Sequence, residues 1–343
     1  MNRILVVQTA FLGDVVLTTP LLRELRRAQP RAGIVVLTTP LGAEVLQGLP
    51  HVDEIVPFDK RGGEGRPGGT WRLATRLRRA RCDLAIAAQR SFRTGLLVWA
   101  SRAPERVGFE RASGAWGYTR RVPWSPTQHA VRRYLELALA AGGDAERADP
   151  RPELAVRNEA RHRVREMLGG AGVGIGEPLL AVAPGSIWGT KRWSPEGYAE
   201  VARREGERGL RAVLIGSPAE RELCEKVAAL AGGRPVVLAG RTSVPEMTAL
   251  LAMCRALVTN DSGPGHVASA VGTPVVSVFG PTVPAFGYTP FGDRHRIVEH
   301  LNLPCRPCHP HGPERCPLGH HRCMREIGPE QVSAALDEVL ATG

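Results

Sequence analysis

Short apolar runs of strand length alternate with longer stretches of helical spacing, and the alternation runs twice along the chain. Residues 4–8 form a continuous apolar strand run. Residues 15–27 carry apolar side chains at helical spacing and close on arginines, which suit the negative end of a helix dipole. Residues 34–38, 83–88 and 106–109 repeat the strand pattern, with helices expected over about 93–100 and 130–141. Gly142, Gly143, Asp144, Asp149, Pro150 and Pro152 then break the pattern. A charged helix (159–168) and a loop with five glycines (169–178) follow. The second half restarts with strands at 179–183, 212–215, 257–259 and 275–279. Its helices begin at recognisable signals: Ser194 before Pro195, the capping box Ser243/Glu246, and Pro329 opening a final helix over 329–341. A helix over 219–231 and a short one near 266–271 complete the set.

Alternation of this kind predicts an α/β protein with parallel sheets covered by helices on both faces, here in two doubly wound domains, 1–155 and 156–343. A chain of 343 residues suits two domains. Ligands in such sheets bind beyond the carboxyl ends of the strands. Motifs just after strands are therefore the ones to read for function. There is no internal sequence repeat.

Composition narrows the class. Apolar residues make up 43% and charged residues 23%, ordinary for a folded domain, so disordered and fibrous classes are excluded. The first thirty residues lack the basic start and long apolar run of a secretory signal, and no uncharged apolar stretch reaches membrane-spanning length. Three of the seven cysteines (Cys82, Cys224, Cys254) sit singly in apolar or helical stretches, and four cluster late. That pattern reads as cytoplasmic thiols and not as a secreted disulfide framework. The net charge of +11 is uneven. Residues 1–150 hold 23 basic and 14 acidic side chains, whereas the remainder is nearly balanced. An anionic partner of the first half would explain this. So would genome bias, since 42 of the 45 basic residues are arginine.

Three strand-to-helix junctions carry candidate chemistry. Phe11-Leu12-Gly13-Asp14 follows the first strand, where Gly13 would allow a tight turn into a helix begun by Asp14. Spacing alone favours Asp14 as a helix cap; a general base at the edge of a cleft is the functional alternative. No Gly-x-Gly-x-x-Gly follows the strand and no Walker A motif occurs, which weakens dehydrogenase and P-loop readings. Ala183 to Ser194 is a basic, glycine-bearing loop. Gly185, Ser186 and Gly189 would let the backbone approach a diphosphate, and Lys191 and Arg192 bring two cations. Thr259 to His266 offers Ser262 and Gly263 to phosphate oxygens and Asp261 to sugar hydroxyls, with Gly280-Pro281 ending a neighbouring strand.

Two further groups are less decisive. Cys305, Cys308, Cys316 and Cys323 are spaced C-x2-C-x7-C-x6-C. The first pair has metal-ligand spacing and the second is looser than a zinc ribbon, so a structural zinc and reduced thiols are both open. Among the many arginines of residues 76–121, Arg90 and Arg93 stand out because they follow the 83–88 strand. The others suit solvated helix faces.

Taken in this order, the motifs resemble glycosyltransferase family 9, the bacterial heptosyltransferases of the lipopolysaccharide inner core, and within it the heptosyltransferase II branch. The resemblance covers Phe11–Pro20, Gln89–Phe109, Ala183–Ser194, Asn260–His266, Gly280–Pro281 and Cys316-Pro317-Leu318-Gly319-His320-His321-Arg322-Cys323-Met324. It implies a GT-B fold of two Rossmann-like domains facing across a cleft. The first would bind the acceptor and the second the nucleotide-sugar, with the last helix packing back toward the first. It implies transfer of heptose from ADP-heptose, with inversion, to a heptose of heptosyl-Kdo2-lipid A. On this likeness Asp14 is the general base, which reverses the preference for a simple cap, and Lys191 steadies the departing diphosphate without a catalytic metal. Gly185, Ser186, Thr190, Lys191, Asp261, Ser262, Gly263, His266 and Gly280 are the expected donor-binding residues, and Gly13, Arg90 and Arg93 the acceptor-binding ones. The acceptor is an anionic lipid, so the chain is expected to be a cytoplasmic monomer held peripherally at the inner membrane, without nucleic acid. Other readings are a family member with another sugar or acceptor, a nucleotide-sugar epimerase or hydrolase on the same fold, and a non-catalytic glycan-binding protein.

Overall fold

The computed structural model describes residues 1–60, 62–63 and 66–341 and divides into two compact units, Met1–Ala155 and Val156–Gly343. In the first, β1 (Arg3–Gln8) leads into α1 (Leu12–Leu17) and α2 (Thr19–Ala28). There follow β2 (Gly33–Thr38), α3 (Pro40–Val45), β3 (Glu54–Pro57), α4 (Pro67–Arg79), β4 (Leu84–Ala87), α5 (Phe92–Ala100), β5 (Glu105–Phe109), β6 (Arg120–Val122) and α6 (Ala130–Ala140). The six strands lie in the order β3-β2-β1-β4-β5-β6, and every pairing is parallel. Strands β1 and β4 are apolar throughout their centres because helices cover both faces of a parallel sheet.

The single helix expected over 15–27 is two helices. Pro20 has no N–H to give the carbonyl of Val16, and the Thr19 hydroxyl bonds that oxygen instead, at 2.8 Å. The chain therefore steps at Thr18, whose own hydroxyl bonds the Asp14 carbonyl at 2.6 Å.

The second unit holds α7 (Asn158–Gly170), β7 (Leu179–Ala183), α8 (Pro195–Glu207), β8 (Arg211–Leu214), α9 (Arg221–Leu230), β9 (Val236–Val237), α10 (Val244–Leu251) and β10 (Ala256–Asn260). It continues with α11 (Gly263–Ala270), β11 (Val275–Phe279), β12 (His295–Glu299), α12 (Arg322–Arg325) and α13 (Pro329–Ala341). Its sheet runs β12-β11-β10-β7-β8-β9, again parallel. Both expected N-terminal signals are made: Ser194 accepts from the Gly197 N–H at 3.1 Å, and Ser243 and Glu246 cap each other's backbone. Helix α13 uses its apolar stripe within the second unit. Val332, Leu336 and Val339 are buried in the second unit's own core, on the sheet and α8.

Candidate functional site

Each sheet reverses its strand order once. In the first unit the reversal lies between β1 and β4, and in the second between β7 and β10. Loops leaving two such strands diverge and open a crevice at the carboxyl ends. Except for Gly280, which follows β11, and the late cysteines, the sequence-predicted residues fall on the loops after these four strands or in the helices those loops lead into, a separate group in each unit.

In the first unit, Phe11 is extended and serves as the N-cap of α1, with no side-chain cap bond; the Val15 N–H closes the first turn on its carbonyl at 3.2 Å. Gly13 and Asp14 therefore lie inside the first helical turn. The tight turn at Gly13 and the cap at Asp14 are both corrected, because the helix has already begun at Leu12. Asp14 has a different partner: the Tyr134 hydroxyl, from α6, donates to its Oδ1 at 2.7 Å. A carboxylate in the first turn also sits at the positive end of the helix.

The loops after β1, β3 and β4 are tied to one another. The Lys60 ammonium donates to the Thr9 carbonyl at 2.6 Å, and Arg93 reaches the Lys60 carbonyl at 3.5 Å. Gln89 accepts from the Thr9 and Thr94 hydroxyls at 2.8 and 3.2 Å. The Arg90 guanidinium lies 3.8 Å from the centre of the Trp124 ring, and the buried Arg133 lies 5.2 Å from the same ring on its way to the Ser125 carbonyl. Arg90 is exposed and presented on an aromatic platform. Sequence reasoning missed Tyr134, Lys60 and Trp124. Lys60 is one of three lysines in the chain, which is the nearest thing to a signal; helical spacing cannot say which loop Tyr134 faces.

In the second unit, Lys191 closes a short 3-10 turn (Gly189–Lys191) and its Nζ lies 2.5 Å from Asp261 Oδ2. Both side chains are about nine-tenths buried, at 12% and 11% exposure. The Thr282 hydroxyl donates to the same Asp261 oxygen at 2.7 Å. The structure thus joins the loops after β7, β10 and β11, and it gives Asp261 a fixed lysine as counterion. Asn260 fastens the frame. Its amide donates to the carbonyls of Pro184 and Gly185 at 2.9 and 3.1 Å, and its oxygen accepts from the Trp193 N–H at 2.9 Å. Trp193 is buried against Tyr198 and donates through its indole N–H to the Ile327 carbonyl at 3.0 Å.

The remaining predicted residues divide. Ser262 is the N-cap of α11, and its hydroxyl pairs with Thr259 at 3.0 Å. Gly263 opens that helix and His266 is buried within it. Ser186 is buried, and its carbonyl takes the Arg192 guanidinium at 2.9 Å. Gly185 faces the side chain of Glu220. Thr190 is turned toward the cysteine-bearing loop: its hydroxyl bonds the Pro313 carbonyl, and its own carbonyl lies 2.8 Å from His321 Nε2. Gly280 gives its carbonyl to Arg306.

That loop packs directly on the lysine. Gly312 has φ +81°, and a Cβ there would stand 3.2 Å from Lys191 Cγ. Arg306, between Cys305 and Cys308, is its anchor: the guanidinium is nearly buried and bonds the carbonyls of Gly280, Thr282 and His300 and the Glu299 carboxylate. All seven cysteines are free thiols. Burial, and then the neighbouring Cys305 and Cys316, push the Cys308 thiol up. Burial pushes Cys323 to about 11, with the other three thiols of the group contributing. Among the described residues no three His, Cys, Asp or Glu side chains are arranged to hold a metal ion, so the zinc site considered for Cys305, Cys308, Cys316 and Cys323 has no assembled ligand set.

Residues 70–315 match the family model for glycosyltransferase family 9 (heptosyltransferase). The chain belongs to that family. It is 28% identical to lipopolysaccharide heptosyltransferase 2 of Salmonella typhimurium, covering 99% of both chains. It is 33% identical to lipopolysaccharide heptosyltransferase 1 of Pseudomonas aeruginosa, over 89% of this chain and 86% of that one. The solved structure of E. coli ADP-heptose lps heptosyltransferase II superposes with a TM-score of 0.79 at 26% identity over 99% of each chain. The two parallel sheets with flanking helices are the GT-B fold of this glycosyltransferase family.

Proposed function

We propose that this glycosyltransferase moves heptose from ADP-heptose to a heptose of the lipopolysaccharide inner core, with inversion at the anomeric carbon. The single observation that carries the reading is the Lys191–Asp261 pair at the strand-order reversal of the second sheet, where a parallel α/β domain takes its ligand. It is supported by full-length similarity to heptosyltransferases.

An acceptor hydroxyl is a poor nucleophile near neutral pH. Asp14 takes its proton as the oxygen attacks, a contribution of about 10²–10⁴ in rate. The Tyr134 hydroxyl holds the carboxylate in one orientation for that transfer. On the donor side, negative charge grows on the diphosphate as the glycosidic bond breaks. Lys191 and the N–H groups at the start of α11, beside Ser262 and Gly263, stabilise it as prearranged dipoles and charge. Asp261 positions the lysine and, with Thr282, keeps it from collapsing into solvent. Arg90, held over Trp124, and Arg93 meet the anionic groups of a lipid-linked acceptor at the cytoplasmic face of the inner membrane.

The test is incubation of the purified chain with ADP-heptose and heptosyl-Kdo2-lipid A, scored by product mass. One added heptose supports the reading. Donor consumption without glycosylated product would turn it toward a hydrolase or epimerase. The 33% identity to a heptosyltransferase 1 supports a second reading, with the same donor but another core acceptor. The unheptosylated acceptor, run in parallel, separates the two.

A further inference from the structure

Helix α5 is apolar on both sides. Its inner face buries Thr94, Gly95, Leu97 and Val98 in the first unit's core. Its outer face carries Phe92, Leu96 and Trp99 at i, i+4 and i+7, where a surface helix normally turns polar residues to water. Phe92 is 56% exposed and Trp99 51%. A third ring joins them from the 3-10 turn Ala115–Gly117. Trp116, 50% exposed, has its ring centre 6.2 Å from Phe92 and 5.7 Å from Trp99.

This turn is built onto the helix. A Cβ on Gly95 would stand 2.4 Å from the Gly114 Cα, and one on Gly114 would stand 2.5 Å from the Gly95 Cα. Only paired glycines allow that approach. Three half-exposed rings present on the order of 300 Å² of contiguous apolar surface, comparable to the largest patch on a typical monomer, which is often functional.

Arginines dominate the rim, and of those on α4 Arg76 is shared with Glu54 at 3.3 Å. From residue 66 to residue 104 the sequence holds a single acid, Asp83, which is occupied by the backbone N–H groups of Asn2 and Arg3. Helix α4, which adjoins α5, turns outward Trp71 (75% exposed) with Arg72, Arg76 and Arg79 along a shallow groove. Arg102, with φ 57°, follows the end of α5 directly and is exposed. Aromatic rings at the centre with arginines around them match a bilayer interface, where rings sit at headgroup depth and cations meet anionic lipid.

We propose that α5 and the Trp116 turn dock this chain on the surface of an anionic phospholipid bilayer, with Phe92, Leu96, Trp99 and Trp116 entering the interface and the α4 arginines held at the headgroups. This deepens the reading of a lipid-linked acceptor and rests on it for its purpose, although not for its test.

The experiment is sedimentation of the full chain with vesicles of phosphatidylcholine alone or mixed with phosphatidylglycerol, without nucleotide or sugar acceptor. The wild type should bind the mixed vesicles in a salt-sensitive way and the neutral ones poorly. Trp99→Ser/Trp116→Ser should bind the mixed vesicles at least about tenfold more weakly. Arg72→Gln/Arg76→Gln/Arg79→Gln should lose the preference for anionic lipid. Unchanged melting temperatures show that the variants fold. Failure of the wild type to bind mixed vesicles, or wild-type binding by the tryptophan variant, overturns the proposal. So does a wild-type dimer that the same variant converts to monomer, because the patch would then join two copies. Vesicle binding needs no turnover, so a failed transfer assay leaves this result standing and the converse also holds.

Discussion

Replacing Lys191 by Met separates a structural ion pair from a ligand-binding lysine. The lysine and Asp261 are 12% and 11% exposed and 2.5 Å apart. Breaking a fully buried pair from one side costs about 3–5 kcal/mol. Slight exposure and the remaining Thr282 hydrogen bond reduce this to roughly 2–4 kcal/mol. For a unit of this size that lowers the melting temperature of the second unit by roughly 5–10 °C. Asp261→Asn added to Lys191→Met removes the stranded charge, so much of the loss should return. ADP affinity behaves differently. A charge-assisted bond to diphosphate is worth about 1.5–3 kcal/mol, so calorimetric titration of ADP should show about 10- to 100-fold weaker binding in the single variant. It should stay weak in the double variant. If the double variant recovers both melting temperature and ADP affinity, Lys191 serves only Asp261, and its role toward the leaving diphosphate is wrong.

Other outcomes follow from single contacts. Tyr134→Phe removes the hydroxyl on Asp14 and should lower kcat roughly tenfold while leaving donor KM unchanged, read from initial rates at saturating acceptor. Trp193→Ala empties a buried indole site and its bond to Ile327, and should cost about 3–5 kcal/mol in urea unfolding of the second unit. Glu24 is buried, which raises its carboxyl, but bonds from Arg27 and the Asp144 N–H outweigh this and hold it below its ordinary value. A folded value below the unfolded one contributes stability at higher pH that is lost as pH falls through the folded value. Melting temperatures of wild type and Glu24→Gln should therefore converge as pH is taken from about 7 to about 3.

The two-domain plan was legible because strand and helix periods alternate, and so were the signals at Ser194, Ser243 and Pro329, which are local chemistry. The short or peripheral strands β3, β6, β9 and β12 were not. They carry two to five residues, and two of them, β6 and β12, contain exposed or half-exposed arginines that mask an apolar period. The step at Thr18 was hidden because the apolar spacing continues across Pro20, the one residue that signals it. At the site, the loops after strands were found from sequence, but their partners were not. Tyr134 reaches Asp14 across 120 residues and Arg306 grips carbonyls from 26 residues away, and no spacing rule encodes such distances. Asp14 itself could be read from sequence only as a cap or a base. The structure removes the cap, since Phe11 holds that position.

The most direct measurement is the single-turnover rate of heptose transfer by Asp14→Asn, with ADP binding measured on the same preparation. The account predicts a fall of about 10²- to 10⁴-fold in the transfer rate with ADP affinity and melting temperature near those of the wild type. Transfer at the wild-type rate by a folded, ADP-binding Asp14→Asn chain would contradict it.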